Sequence, residues 1–154
     1  MNQVMLTTNQ KNIAAIIHLS TLCKYVFPLG NFIVPLIFWT LNKDKSDFID
    51  KHGKQAINFQ LSILLYAVVI ASLTIPLFFF GIVNTLDFPE FWHMYDFDYH
   101  ISKSQGINVA IITIVAAILT VAALILELVF IITATTKANQ GEPYKYPITI
   151  NFLK

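Results

Sequence analysis

Two ionisable residues, His18 and Glu127, fall inside apolar stretches of this 154-residue chain that are predicted to be helical. An ionisable side chain is costly inside a membrane, so it usually pairs with another polar group or takes part in function. A carboxylate beside an imidazole would favour the charged forms of both groups. Two hypotheses follow, a proton-linked pair or two separate groups that hydrogen-bond within a helix bundle.

A second polar group lies in the sequence DKHGKQAINFQ, residues 50–60, at the start of a long apolar stretch. Asn58 and Gln60 are candidate intramembrane polar side chains, because amides can hydrogen-bond neighbouring helices where water is absent. Lysines at a cytoplasmic membrane surface also attract anionic headgroups. The candidate residues for docking a headgroup or a protein partner are Lys51, His52, Lys54, Tyr144 and Tyr146.

Motifs of the common enzyme classes are missing from the sequence. It contains no HExxH, no GxSxG and no phosphate-cradling glycine loop, and its one cysteine, Cys23, has no evident base beside it. His93, Asp96 and His100 lack a recognised zinc spacing, and the many aromatic residues around them favour a membrane interface instead. We therefore predict a protein that is not an enzyme and that has no catalytic, metal or cofactor site.

Composition places the chain in a membrane. Hydrophobic residues make up 56% of the sequence and charged residues 12%, with a mean hydropathy of +0.64, whereas about a quarter of the residues in soluble domains are charged. The net charge of +1 and the single cysteine exclude a basic nucleic-acid binder and a disulfide scaffold. The expected environment is the lipid bilayer, with no nucleic-acid partner.

The predicted fold is all-α, a polytopic transmembrane helical bundle of four helices in a single integral membrane domain, residues 1–154. Residues 55–83 and 107–135 are each long and apolar enough to span a bilayer. Residues 13–27 and 32–41 are predicted to form a short hairpin, because FPLGN, residues 27–31, is typical of a helix stop and a turn. The alternative is three spans, with one kinked first helix and the N-terminus outside.

Lysine placement predicts the orientation. Eight of the ten lysines fall in the N-terminal segment, in the loop at residues 42–54 or in the tail at residues 137–154, which the positive-inside rule assigns to the cytoplasm. The loop at residues 84–105, rich in Phe, Trp and Tyr, is then outside. This arrangement predicts a multi-pass protein of a bacterial cytoplasmic (inner) membrane with both termini inside.

The tail sequence GEPYKYP, residues 141–147, must end the last helix, because glycine and two prolines cannot continue its hydrogen bonding. Beyond it, Ile148, Ile150 and Phe152 alternate with polar residues. A segment this apolar is expected to pack on the protein. We predict that residues 141–152 fold back near residues 51–58 and form a docking surface for a partner.

The stretches HGKQAINFQ, residues 52–60, and GEPYKYP, with PLGN at 28–31 and PLIFW at 35–39, resemble a widespread bacterial membrane family of unknown function. That family is often described as similar to the twenty-kilodalton import component of the chloroplast inner-envelope translocon. The resemblance covers nearly the whole chain. It implies a small polytopic helical protein, and for distant relatives a role in protein translocation.

These observations give two function hypotheses. The first is a non-enzymatic integral membrane protein, an accessory or assembly subunit of a larger membrane complex linked to protein translocation. The alternative is a small carrier or proton-coupled channel that assembles as a homo-oligomer around Glu127 and His18. A larger partner protein in the native complex would favour the first hypothesis.

Overall fold

The structure is a computed structural model that describes the backbone of residues 6–85 and 103–154 and the side chains of residues 6–76 and 110–154. These residues form four α-helices and no strand, as the all-α prediction required. The helices are α1 (Thr8–Ser20), α2 (Gly30–Thr40), α3 (Asp47–Thr85) and α4 (Lys103–Gln140). Short 3₁₀ helices occupy Thr21–Tyr25 and Lys43–Lys45.

Two of these helices contain stretches long and apolar enough to cross a membrane by length and composition, Asp47–Pro76 and Ala110–Gln140. Only 33% and 11% of the most apolar windows are buried inside the protein, unlike a core helix of a soluble protein. Large apolar side chains such as Ile70, Leu73, Ile112 and Ile118 are more than half exposed. Apolar surface of this extent indicates contact with lipid.

The described residues divide into two compact units. Residues 6–65 and 125–154 belong to the first unit, and residues 66–85 with 103–124 belong to the second. Every polar site described below lies in the first unit.

Helix α1 begins earlier and ends earlier than the predicted helix at residues 13–27. Thr7 and Gln10 form a capping box, in which the Gln10 amide donates to Thr7 Oγ1 (3.2 Å) and the Thr7 amide donates to Gln10 Oε1 (2.9 Å). The α-helix stops at Ser20 and tightens into the 3₁₀ helix Thr21–Tyr25. Neither segment is long enough to span a bilayer alone.

A tight turn leads into α2, which lies close to its predicted bounds of 32–41. Leu29 has a left-handed backbone with φ of 63°. A Cβ on Gly30 would come within 2.4 Å of the Cys23 carbonyl oxygen, so only glycine allows the chain to approach itself here. Helix α2 then packs against α1.

Helix α3 starts at Asp47, eight residues before the predicted start at residue 55. Residues 42–54 are predicted from the sequence to form a lysine-rich loop. However, Ser46 caps the helix by accepting the Phe48 amide (3.1 Å), and Asp47 and Asp50 complement the helix dipole in the first turn. Gly53 lies inside this helix because the Trp39 ring packs on it, 2.1 Å from where a Cβ would stand.

Helix α4 continues to Gln140, past the predicted end at residue 135. Gly141, with φ of 83°, ends it, and the Glu142 amide donates to the Lys137 carbonyl (2.9 Å), as in a Schellman motif. At its other end α4 includes residues 103–105 of the predicted outer loop. Residues 86–102 of that loop, including His93, Asp96 and His100, lie outside the described residues.

The core of the first unit joins α1, α3, α4 and the tail. Ile17, Ile49 and Ala56 form one cluster with Trp39 packed against it. Ala14, Ala15 and Ala138 bring α1 and α4 together, since small side chains permit close helix approach. Phe59, Ile131, Ala134 and Tyr146 form a third cluster, so a residue of the tail is part of the core.

Candidate functional site

A buried chain of hydrogen bonds links α1, α3 and the tail through three side chains, His18, His52 and Tyr146. The Tyr146 hydroxyl lies 2.9 Å from His18 Nδ1, and His18 Nε2 lies 2.7 Å from His52 Nδ1. The three side chains are at most 2% exposed. Sequence reasoning named all three but separated them, with His18 as an intramembrane group and the other two as docking residues.

Aromatic contacts fix the geometry of this triad of His18, His52 and Tyr146. The Tyr146 ring stacks on Phe59 with centroids 4.0 Å apart and an interplanar angle of 8°. Phe48 packs on His52 with centroids 4.3 Å apart. Because both rings that flank the triad are apolar, the hydrogen-bonded nitrogens and oxygen are shielded from water on these sides.

The surroundings hold the triad in its uncharged form. Burial lowers the pKa of His18 well below the ordinary value of 6.5, and the neighbouring His52 lowers it further. Burial also raises the pKa of Tyr146 well above 10.0, with smaller contributions from Tyr144 and Glu127. A neutral imidazole donates through one nitrogen and accepts through the other, which suits a position between two partners.

The chain of bonds ends at His52. Its Nε2 atom is buried, and the side chain also interacts with the backbone of Glu142 in the tail. If the Tyr146 hydroxyl donates to His18 Nδ1, then His18 Nε2 donates to His52 Nδ1, and His52 Nε2 carries the last proton. In this arrangement each hydrogen bond within the triad has one donor and one acceptor.

Glu127 pairs with a different residue. Its Oε2 lies 2.5 Å from Lys24 Nζ, and its side chain is 9% exposed. The proton-linked pairing of Glu127 with His18 is therefore not formed, since each has its own partner. Lys24 is the functional residue that sequence reasoning missed, although it is the one lysine in the first apolar stretch and Glu127 the one acid in the last.

Asn58 and Gln60 hold other segments against α3. The Asn58 amide forms two bonds with Leu153, accepting its N–H (2.8 Å) and donating to its carbonyl (3.0 Å). Ser62 Oγ accepts the Ile150 amide (2.9 Å), and Gln60 accepts from Asn31 (2.8 Å). The bonds of the tail reach Asn58, at the end of the predicted region 51–58, and Ser62 beyond it, so the tail does fold back on α3. Its role as a docking surface stays a prediction.

Replacing Asn58 with alanine is expected to free the end of the tail. The substitution removes both bonds to Leu153 and costs about 1–3 kcal/mol locally, because paired buried groups lose their partners. Amide hydrogen exchange at Ile150 and Leu153 should accelerate by about 5- to 160-fold, the factor that corresponds to this cost. Asn42→Ala is the matched control, since Asn42 donates to the Phe38 carbonyl and is bonded to Lys45. Unchanged exchange at Leu153 would contradict the assignment.

The remaining predicted docking residues differ in exposure and in their partners, and their docking role stays a prediction. Lys51 is exposed, whereas Lys54 pairs with Asp50 (2.6 Å) within α3. Tyr144 is half-buried against Tyr146, with centroids 5.1 Å apart. Among the described residues, no group of three or more His, Cys, Asp or Glu side chains is arranged to hold a metal ion.

Comparison with known proteins identifies the family. The family model for the magnetosome magnetite crystal formation proteins (MamF/MmsF) matches residues 9–153. No curated protein and no solved structure matches the chain at a significant level. The match includes the HGKQAINFQ and GEPYKYP stretches, on which the predicted resemblance to the twenty-kilodalton import component rested. That prediction was therefore wrong, and the link to protein translocation has no support. The chain belongs to the magnetosome magnetite crystal formation protein family.

Proposed function

We propose that this protein acts in the magnetosome membrane as a non-enzymatic subunit that supports magnetite crystal formation. The observation that carries the proposal is the family match over residues 9–153. The exposed apolar faces of α3 and α4 support a membrane location. We extend the proposal to a multi-pass arrangement with both termini in the cytoplasm, on the lysine asymmetry of the sequence.

The geometry of the first unit supports a structural role for its buried polar groups. Three sets of these groups join two segments each: His18 and Tyr146 join α1 to the tail, Lys24 and Glu127 join the first 3₁₀ helix to α4, and Asn58 joins α3 to the tail. Such bonds fix one arrangement of the helices and the tail. A fixed arrangement provides a defined surface for other proteins of a membrane complex.

The carrier hypothesis required Glu127 and His18 to act together. Their separate partners favour the subunit hypothesis, because Lys24 already neutralises Glu127 and Tyr146 with His52 already occupies both nitrogens of His18. In the proposed role Glu127 is one half of a structural ion pair.

Deletion of the gene from the bacterium that carries it tests the proposal. We expect the deletion strain to form fewer or smaller magnetite crystals, measured by electron microscopy and by the magnetic response of the cells. The wild-type gene and a Lys154→Gln variant, changed at an exposed lysine outside the candidate docking residues, should both restore the crystals. A deletion strain with crystals of unchanged number and size would overturn the proposal.

A further inference from the structure

An open cavity of about 620 Å³ lies where α2 leads into α3, apart from the triad. Its size falls within the range of small-molecule sites. Three lysines, three aspartates, Ser46 and Trp39 line it. The lining residues are Trp39, Lys43, Asp44, Lys45, Ser46, Asp47, Asp50 and Lys54.

Contacts within the protein hold the side chains of one wall of this cavity, Trp39, Asp50 and Lys54, in place. Trp39 Nε1 donates to Asp50 Oδ1 (2.9 Å), and Lys54 Nζ lies 2.6 Å from Asp50 Oδ2. The Trp39 ring is also held by its packing on Gly53. Asp50 and Lys54 therefore neutralise each other, and the indole is a fixed aromatic surface.

The other charges are two cations and two anions. Among the residues with described side chains, Lys43 and Lys45 form no salt bridge, although the charge of Lys43 also acts on Asp50, and Asp44 and Asp47 form none either. Lys43 Nζ stands 5.8 Å from the centroid of Trp39, and Lys45 Nζ donates to Asn42. These four side chains match a ligand that carries one phosphate and one ammonium group.

The cavity adjoins an apolar stripe. Ile33, Ile37 and Leu41 follow one another at four-residue spacing along α2, and they are 43%, 51% and 70% exposed. Leu41 is two residues from Lys43, a lining residue. A tryptophan and lysines beside an exposed apolar helix face are typical of the membrane interface.

We propose that this cavity binds the headgroup of a phospholipid with a primary amine, of the phosphatidylethanolamine class. Lys43 and Lys45 bind the phosphate, and Asp44 and Asp47 accept hydrogen bonds from the ammonium. The acyl chains lie along the stripe of Ile33, Ile37 and Leu41. A choline headgroup has no N–H to donate, and a glycerol headgroup has no cation, so both fit less well.

Short-chain lipids and tryptophan fluorescence test the proposal on the full chain in detergent. A Trp92→Phe background leaves Trp39 as the one indole. We expect dihexanoyl phosphatidylethanolamine to change Trp39 emission with an affinity about tenfold higher than dihexanoyl phosphatidylcholine, since its ammonium makes charge-assisted hydrogen bonds. Inorganic phosphate should not reproduce the change.

The double variant Asp44→Asn, Asp47→Asn should bind dihexanoyl phosphatidylethanolamine only as tightly as dihexanoyl phosphatidylcholine. Its affinity for dihexanoyl phosphatidylcholine should equal that of the wild-type chain. Both aspartates are exposed, so the fold should tolerate the change. Lys154→Gln, changed at an exposed lysine outside the cavity, should keep the preference. Equal affinities for the two lipids, tighter binding of phosphatidylglycerol, an equal response to phosphate alone, or an unaffected double variant would each overturn the proposal.

Discussion

Tyr146→Ala is expected to lower the free energy of unfolding of the first unit by about 3–5 kcal/mol, the usual cost of removing a large buried aromatic ring. The ring is 1% exposed and stacks on Phe59, so its loss leaves a cavity next to Ile131 and Ala134. The hydroxyl that satisfies His18 Nδ1 is lost as well. Unfolding in a denaturing detergent, followed by circular dichroism, measures the change.

Two variants separate the contributions of the ring and the hydroxyl. Tyr146→Phe keeps the stack and removes the hydroxyl, so it should cost only about 1–3 kcal/mol. Tyr144→Ala removes the neighbouring, half-buried ring and should cost less than Tyr146→Ala. If Tyr146→Ala and Tyr144→Ala have equal effects, Tyr146 is not the core residue that the structure describes.

Acidification is expected to destabilise the first unit and to release the tail. In the folded protein the pKa of His18 lies well below 6.5, whereas the unfolded chain takes up a proton near that value. The contribution of His18 to the free energy of unfolding is therefore fully present above about pH 6.5. It is lost as the pH drops towards the folded pKa, by up to about 1.4 kcal/mol per pH unit for one histidine. The protection of the amides of residues 144–153 against hydrogen exchange, compared at about pH 7.5 and pH 5, measures this loss.

A His18→Gln variant provides the control for this pH effect. Glutamine does not titrate, so its loss of stability between about pH 7.5 and pH 5 should be smaller than that of the wild-type chain. The comparison concerns the pH dependence and holds even if the variant is less stable at neutral pH. A wild-type chain whose tail stays equally protected at both pH values would contradict the assignment of His18 as a buried neutral group.

The helical class and the two long apolar helices could be predicted because hydropathy is a local property of the sequence. Helix ends were less predictable, since they depend on side chains outside the apolar stretches. The capping box of Thr7 and Gln10 is readable in the sequence, but it precedes the apolar residues. The glycine inside α3, Gly53, is explained by the Trp39 ring that packs on it, a contact that the sequence does not show.

The candidate site was predictable residue by residue but not as a constellation. His18 and His52 are 34 residues apart, and His18 and Tyr146 are 128 residues apart. No periodicity relates such positions, because tertiary packing brings them together. The fold-back of the tail was predicted for a reason that the structure does not bear out, since Ile148, Ile150 and Phe152 are 76%, 40% and 46% exposed. Buried Tyr146 and the hydrogen bonds to Asn58 and Ser62 hold the tail instead.

The resemblance to the import component was wrong for a related reason. Short apolar stretches with prolines and amides specify a small helical membrane fold, and one fold serves several functions. The family match over residues 9–153, not the fold, decided the assignment.

The large sequence separation between His18 and Tyr146 also determines when the first unit can finish folding during biosynthesis. At about 5–20 residues per second, a ribosome needs roughly 6–26 s to make the 128 residues that separate His18 from Tyr146. During that interval α1 and α3 can form, but Tyr146 is not yet available to bond His18 or to stack on Phe59. The first unit can therefore close only after nearly the whole chain has been synthesised. A product that stops short of residue 146 leaves His18 Nδ1 without its hydrogen-bond partner and Phe59 without its stacked ring at the centre of the first unit.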